Sequence, residues 1–522
     1  MEAWFIIVVS LCISALVASI FNLLPSSRRK RNLPPGPPIF PIIGNLLWLH
    51  KPVSHIEYIL RRLKTLHGPL ITLTMGRRSL IFVGSHSLAH QALVQNGAVF
   101  ADRPAPPPTS RVLHNNKILK TISSSPYGAT WRLLRRNLTQ EILHPSRARM
   151  YSASRRWVLS LLIRRLTDTA QSESSVMLID HFQYAMFSLL VIMCFGDKLH
   201  ENQIKEIESI QRRLILGIRR FNILNLFPRL GKILFRNRWN ELKQLRQEQE
   251  KILIPLIKAR LQTKQSKDDD KIEIVSYVDT LMDLKLPEEE NRKLQEDEMV
   301  SMCSEFLTAG TDTTSTALQW IMANLVKHSQ IQERLYQEII SVVGRRTPPQ
   351  PDTEEPEAEA MVEEEDLRKM PYLKAVVLEG LRRHPPGHFV LPHKTTHDFE
   401  LDGYTVPKDA VVNFMVADMG WDPNVWEDPM EFKPERFLEG RDGEFDITGS
   451  REIKMMPFGA GRRVCPASGL AMLHLEYFVA NLIWWFEWRP VEGDEVDLSE
   501  KQEFTIVMKN PLRAKISPRK SD

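Results

Sequence analysis

A single cysteine, Cys465, ends the loop Pro457-Phe458-Gly459-Ala460-Gly461-Arg462-Arg463-Val464 and is followed by Pro466, Ala467 and a long apolar run. Backbone N–H groups and nearby guanidiniums lower a thiol pKa, and glycines let the main chain approach a flat ligand without a Cβ in the way. The chemistry on offer is that of a thiolate ligand. Taken alone, the segment equally describes a turn before a core helix that buries an inert thiol. Upstream, Ala309-Gly310-Thr311-Asp312-Thr313-Thr314 puts an acid, hydroxyls and a glycine inside a helical pattern. Such contradictions of local propensity tend to mark function, although a helix can also simply tolerate them. Met302, Phe306, Ala309 and Thr313 follow helical spacing, so one stripe can face a ligand cavity. Glu379 and Arg382 share a helical face, and Arg436 adds a second guanidinium further on. An isolated pair of this kind is commonly solvated; a buried one has to be neutralised.

These residues need a scaffold, and its periodicity is mostly helical. Helical patterns cover Ser54–Leu66, Trp131–Ile142, Ile204–Leu214, Trp239–Leu261, Asp297–Lys327 and Leu470–Phe486. Strand patterns are few: Leu70–Met75 with Leu80–Val83, and Phe399–Leu401 with Tyr404–Val406 around the turn pair Asp402-Gly403. The predicted class is mostly α with small β-sheets. Lys264–Lys271 reads as a polar linker, and Asp352–Asp366, with nine acidic residues, as a solvated insertion too polar to bury.

With 43% hydrophobic and 25% charged residues, the 522-residue chain is neither wholly disordered nor a multi-span membrane protein. A net charge of +5 on so large a surface gives no reason to expect a nucleic-acid partner. The four cysteines form no C-x-x-C pair, which argues against zinc, an iron–sulfur cluster or covalently attached haem and suits a reducing compartment. Cys12, Cys194 and Cys303 read as structural thiols. From Ala3 to Leu24 no residue is charged; at ~1.5 Å per residue this reaches the ~30 Å of a bilayer core. Arg28, Arg29, Lys30 and Arg31 follow the stretch, which favours an uncleaved anchor with the rest of the chain on the cytosolic side. The acceptor Asn137-Leu138-Thr139 should then be unmodified. Leu33-Pro34-Pro35-Gly36-Pro37-Pro38 cannot propagate a helix and reads as a stiff hinge. The expected organisation is an anchor and basic flank at 1–31, a hinge at 32–45 and a catalytic domain at 46–522.

The cysteine loop is similar to the F-x-x-G-x-R-x-C-x-G loop of the cytochrome P-450 superfamily, and the other motifs stand in that family's order. Ala467 departs from the usual glycine by one methyl group. His90–Pro104 and Tyr127–Leu138 further resemble the plant family numbered eighty-nine within it. The resemblance implies a cytochrome P-450 fold behind one N-terminal transmembrane helix in the endoplasmic reticulum membrane. It implies haem b with Cys465 as axial iron ligand, a thiolate whose electron push favours O–O cleavage. Trp131, Arg135, His393 and Arg463 match positions that hold the haem propionates, and Phe458, Gly459 and Gly461 belong to the loop against the cofactor. Thr313 would hydrogen-bond dioxygen, with Asp312 helping to relay protons, and Glu379, Arg382 and Arg436 would form a structural network behind the cysteine loop.

The implied partners are O2, a lipophilic small molecule and a membrane-bound NADPH-dependent reductase. The chain has no G-x-G-x-x-G loop for NADPH itself. Arg132, Arg135, Arg136 and Arg462 could form a basic patch for the reductase or simply a solvated face. Substrate-facing candidates are Arg103–Leu119, Met302–Thr313, His388–Leu391 and Phe504–Val507. Two alternatives are a haem-thiolate isomerase or dehydratase, and a non-catalytic membrane haem-binding protein. Neither needs the relay offered by Thr313 and Asp312.

Overall fold

The computed structural model describes residues 10–16, 32–37, 53–75, 78–113, 121–226, 233–266, 274–345, 361–438 and 445–519. Its axis is the helix Glu296–Lys327, 32 residues long. Gln295 and Glu298 form a capping box, and three acids occupy the first turn, where the helix dipole favours negative charge. Against it pack Leu178–Phe195, Arg236–Ser266, Pro371–Arg383 and Ser468–Trp485. Helical rows from several directions leave this axis buried over most of its length.

Leu178–Phe195 is apolar enough by length to cross a membrane, yet it is a core helix, buried on nearly every face. Its closeness to the axis explains Gly310, because a Cβ there would come within 2.7 Å of Leu190 Cδ1. The mid-helix glycine is thus a packing requirement of two helices. Cys194 and Cys303, one on each helix, are fully buried, as expected of structural thiols.

A four-stranded sheet runs in the order Leu70–Met75, Arg78–Val83, Val411–Phe414, His393–Lys394. Its second and third strands pair in parallel, Leu80 opposite Val411. His393 sits opposite Val412, so a distant strand fixes where its ring lies. The hairpin Phe399–Leu401 and Tyr404–Val406 turns through Asp402 and Gly403, both at positive φ (53° and 74°), as the turn pair predicts.

The expected helices are all present: Ile204–Leu214 extends to Glu201–Phe221, and Leu470–Phe486 stops at Trp485. Arg236–Ser266 takes in the first three residues of the expected linker Lys264–Lys271, whose remainder lies outside the described residues. Trp131–Ile142 divides into the helix Ala129–Asn137 and a π turn at Leu138–Ile142. Residues 32–37 are non-helical, as the prolines require, and are fastened to the body. Thr72 N–H donates to Pro35 O (2.8 Å), and Thr405 N–H to Asn32 O (2.6 Å). The solvated reading of Asp352–Asp366 fails at its end: Met361 and Val362 are buried, and Glu364 pairs at 2.6 Å with the fully buried Arg155. A guanidinium supplies the neutralisation that composition alone does not reveal. Asn137 donates its amide to Thr280 Oγ1 at 2.9 Å inside the fold. Of the apolar N-terminal stretch, residues 10–16 are described; they are helical and exposed.

Candidate functional site

Cys465 stands at the mouth of Ser468–Trp485, half-buried. Its N–H donates to Phe458 O at 2.8 Å, which closes the loop on itself. Burial pushes the thiol pKa up, while the Ala467 backbone N–H and the Arg135 charge pull it down. The thiolate-favouring groups read from the sequence are therefore in place, but burial outweighs them for the bare thiol. Both glycines take positive φ, Gly459 at +70° and Gly461 at +68°. Gly461 is required for a different reason from the one expected: a Cβ would lie 1.9 Å from Leu93 O, so the loop is pressed against another backbone segment.

Around this loop the fold gathers cations. Trp131 and Arg135 share a face of Ala129–Asn137, with the guanidinium 5.5 Å from the indole centroid. Arg463 lies over the same indole at 4.3 Å. It donates to Ala101 O (2.7 Å), Ile122 O (3.2 Å) and Ser125 O (2.8 Å). Arg135 donates to Val464 O at 2.6 Å, and Trp131 Nε1 to Ile122 O at 3.0 Å. Arg103, expected at the start of a substrate-facing loop, instead joins this cluster and donates to Ser123 O, Leu391 O and Pro392 O. Its arginine-before-proline context did not announce that role.

Among the described residues, none of these three guanidiniums stands in an ion pair. Burial, together with the neighbouring Arg103 and Arg135 charges, holds Arg463 down at about 9. Burial holds Arg103 down at about 10, against the pull of Glu305 and Asp102. An arginine keeps its proton near neutrality, so the depressions measure poorly compensated charge. Burial, and then the Arg103 charge, pushes His393 down to about 3. Its Nδ1 lies 2.7 Å from Phe100 O, so a neutral ring donates there. The residues present fit a flat ligand that carries carboxylates: buried cations that form no ion pair among the described residues, an indole beside them and a cysteine behind. A haem with its propionates has this character, with Cys465 sulfur as the available iron donor.

On the axis helix, Ala309 is exposed and Thr313 half-buried, although the helix is otherwise enclosed. Thr313 Oγ1 donates to Ala309 O at 2.6 Å. Of the predicted stripe, Ala309 and Thr313 reach accessible surface, whereas Met302 is wholly in the core and Phe306 leans on Tyr277 at 5.0 Å. Asp312 is turned about 100° from Thr313 and lines a small pocket with Glu208, Arg212 and Thr311. Burial raises its carboxyl pKa, opposed by Arg212.

The substrate-facing expectation for His388 also fails. The ring is buried, with Nδ1 2.8 Å from Glu57 Oε2 and Nε2 3.3 Å from Glu500 Oε2. Val390 reaches the cysteine loop near Gly459, and Phe504 is exposed. Residues 114–119 of the Arg103–Leu119 candidate lie outside the described residues.

Behind the loop, Arg382 donates twice to Glu379 (2.7 and 2.8 Å), with both side chains fully buried. Arg436 Nε donates to the same carboxylate at 3.2 Å, and the Lys433 N–H at 2.8 Å. On the surface, Arg132 and Arg462 are exposed and lie 5.7 and 5.3 Å from the Tyr127 ring centroid. Arg136 is exposed on the same helix, whereas Arg135 is turned inward and leaves the expected basic patch.

A sequence model of cytochrome P450, written here P-450, matches residues 34–517. Cytochrome P-450 89A9 of Arabidopsis thaliana is 50% identical over 98% of this chain and 99% of its own length. Geraniol 8-hydroxylase of Catharanthus roseus is 29% identical over 97% of the chain and 98% of its own. A zebrafish cytochrome P-450 solved with progesterone superposes with a TM-score of 0.72 at 23% identity, covering 89% of this chain and 99% of that one. With its helical fold, its small sheets and a cysteine loop set against a cationic cradle, the chain belongs to the cytochrome P-450 family, as a plant haem-dependent monooxygenase resembling family eighty-nine.

Proposed function

We propose that this enzyme inserts one atom of O2 into a lipophilic small molecule, with Cys465 as the thiolate that would hold the haem iron and electrons supplied by an NADPH-dependent reductase. The observation that carries the reading is the set of three guanidiniums, Arg103, Arg135 and Arg463, that form no ion pair among the described residues and are grouped around Trp131 beside the cysteine loop. Bound there, haem supplies the activation of dioxygen and the oxidising power, and the protein supplies orientation, proton delivery and exclusion of water.

Arg463 and Arg135 hold the cofactor's carboxylates from the face of Trp131, with His393 neutral beside them. Thr313 commits its hydroxyl proton to Ala309 O, which leaves its oxygen as an acceptor toward the cavity. A water that donates to Thr313 Oγ1 is thereby oriented, and protons reach the cavity through that water. Asp312 serves the next step outward, on the pocket side of the helix, where burial raises its carboxyl pKa against the pull of Arg212. Val390 and Ala309 offer apolar surface to the substrate. The relatives named as geraniol 8-hydroxylase and isoflavone 2′-hydroxylase support hydroxylation of a lipophilic compound.

Ala3–Leu24 tethers the enzyme to the endoplasmic reticulum membrane in this reading, with the body cytosolic. Exposed Arg132, Arg136 and Arg462 meet the acidic surface of the reductase. The decisive assay is substrate-dependent NADPH consumption and product formation with purified reductase. Turnover of an organic peroxide without reductase or O2 would instead establish an isomerase or dehydratase. Cys465→Ala should abolish the thiolate signature of the reduced, carbon-monoxide-bound spectrum, whereas Cys194→Ala and Cys303→Ala keep it.

A further inference from the structure

Glu305 is an acid on the axis helix, one turn before Ala309 and two before Thr313, and so on the same helical face as the exposed Ala309. Its carboxylate accepts from two consecutive backbone N–H groups, Ile122 at 2.9 Å and Ser123 at 2.8 Å, and from the Ser123 hydroxyl. The five residues so gripped, 121–125, contain the carbonyls on which the cationic cradle rests. Ile122 O receives Trp131 Nε1 and Arg463, Ser123 O receives Arg103, and Ser125 O receives Arg463 again. No regular secondary-structure ladder holds this segment; Thr121 accepts one turn bond from Ser125 N–H.

We infer that Glu305 is a positioning residue for cofactor binding: it latches segment 121–125 to the axis helix and thereby sets the carbonyls that aim Arg103, Trp131 and Arg463 at the haem carboxylates. A charged acceptor is suited to the task, since charge-assisted bonds to two adjacent amides fix both the height and the orientation of a loop. Glutamine, with one acceptor oxygen and no charge, keeps the volume but cannot serve both amides equally. Aspartate keeps the charge and shortens the reach. The inference rests on the reading of the arginine cluster as the propionate cradle, so its test separates the latch from the cradle.

The experiment compares the unmutated holoenzyme with Glu305→Gln, Glu305→Asp, Ser123→Ala and the double variant Glu305→Gln/Ser123→Ala. Two quantities are read: amide hydrogen exchange of the peptide spanning 121–125, and the rate of haem transfer to excess apomyoglobin. In Glu305→Gln, loss of a charge-assisted bond should speed exchange there about tenfold. Haem loss should accelerate several-fold while the carbon-monoxide spectrum keeps its thiolate form. Glu305→Asp should recover part of both effects. Ser123→Ala, which leaves the two amide bonds intact, should show a smaller change in the same direction. The double variant should add less than the sum of the singles, because both changes act on one contact. Unchanged exchange in Glu305→Gln would overturn the latch. Faster exchange with unchanged haem loss would leave a loop tether that does not position the cradle, and would overturn the inference. Retention of the thiolate spectrum in Cys465→Ala would defeat the underlying reading of the site while leaving the exchange result to stand by itself.

Discussion

Two regions of buried charge flank the cysteine loop, and they are built on opposite principles. Behind it, Glu379 holds Arg382 and Arg436 within one hydrogen-bonded unit, and the remaining guanidinium donors reach carbonyls such as Gly420 O (2.5 Å) and Pro429 O (2.8 Å). In front of it, Arg103, Arg135 and Arg463 reach carbonyls too, but no carboxylate pairs with them among the described residues. The first region is complete as folded. In the proposed reading, the second is completed by the carboxylates of a bound ligand. A satisfied charge network is a structural element, whereas a group of hydrogen-bonded cations left electrically uncompensated is a receptor.

The strongest way to break this contrast is to remove one partner from each side. Glu379→Ala strands two buried guanidiniums and should cost about 3–5 kcal/mol, enough to lower folded yield sharply, as read by denaturant unfolding of the apoprotein. Arg463→Gln removes one of several crowded cations. It should alter apoprotein stability by less than ~1 kcal/mol while accelerating haem loss about tenfold, because the lost partner is the ligand's carboxylate. Comparable destabilisation by both substitutions would erase the distinction.

A smaller effect is expected on the axis helix. Thr313→Ala removes the hydroxyl that donates to Ala309 O; if that hydroxyl orients a relay water as proposed, substrate binding and iron reduction should survive its loss. NADPH should still be consumed with reductase and substrate, with less product and more hydrogen peroxide per electron pair. Thr314→Ala, on the buried side, should shift that ratio less. Equal coupling in both variants would take Thr313 out of the relay.

The least effect is a slope. His393 is held near 3 in the folded apoprotein against an ordinary 6.5, so below pH 6.5 the unfolded chain binds a proton that the folded one refuses. Stability from this group is fully present above pH 6.5 and is lost as pH falls toward 3, by up to ~1.4 kcal/mol per pH unit for one proton. His393→Gln should flatten the apoprotein's stability profile in that window. Added haem should flatten it too, since carboxylates beside Arg103 and Arg463 relieve the repulsion. An unaltered profile in the variant would place the proton uptake elsewhere, for instance on the buried His474, also held near 3.

The sequence by itself determined the local elements and the chemistry-bearing motifs. Helical periodicity, the Asp402-Gly403 turn and the spacing of Glu379 with Arg382 are short-range facts, written in residues within a turn or two of one another. The cysteine loop and Thr313 were legible for the same reason, since a motif's residue types survive without knowledge of the fold. Tertiary structure decided everything that depends on what lies opposite. Gly310 yields to Leu190 and Gly461 to Leu93 O; Met302 turns to the core, and His388 is drawn between Glu57 and Glu500. Glu364 is held by a buried arginine 209 positions away in sequence. Arg103 stood in a family-like stretch that did not name its partners and Glu305 in no motif, because their contacts are with carbonyls and amides of a segment to which no sequence pattern ties them. Side-chain identity states which bonds a residue is able to make, and only the packed chain states which partners are near enough to make them.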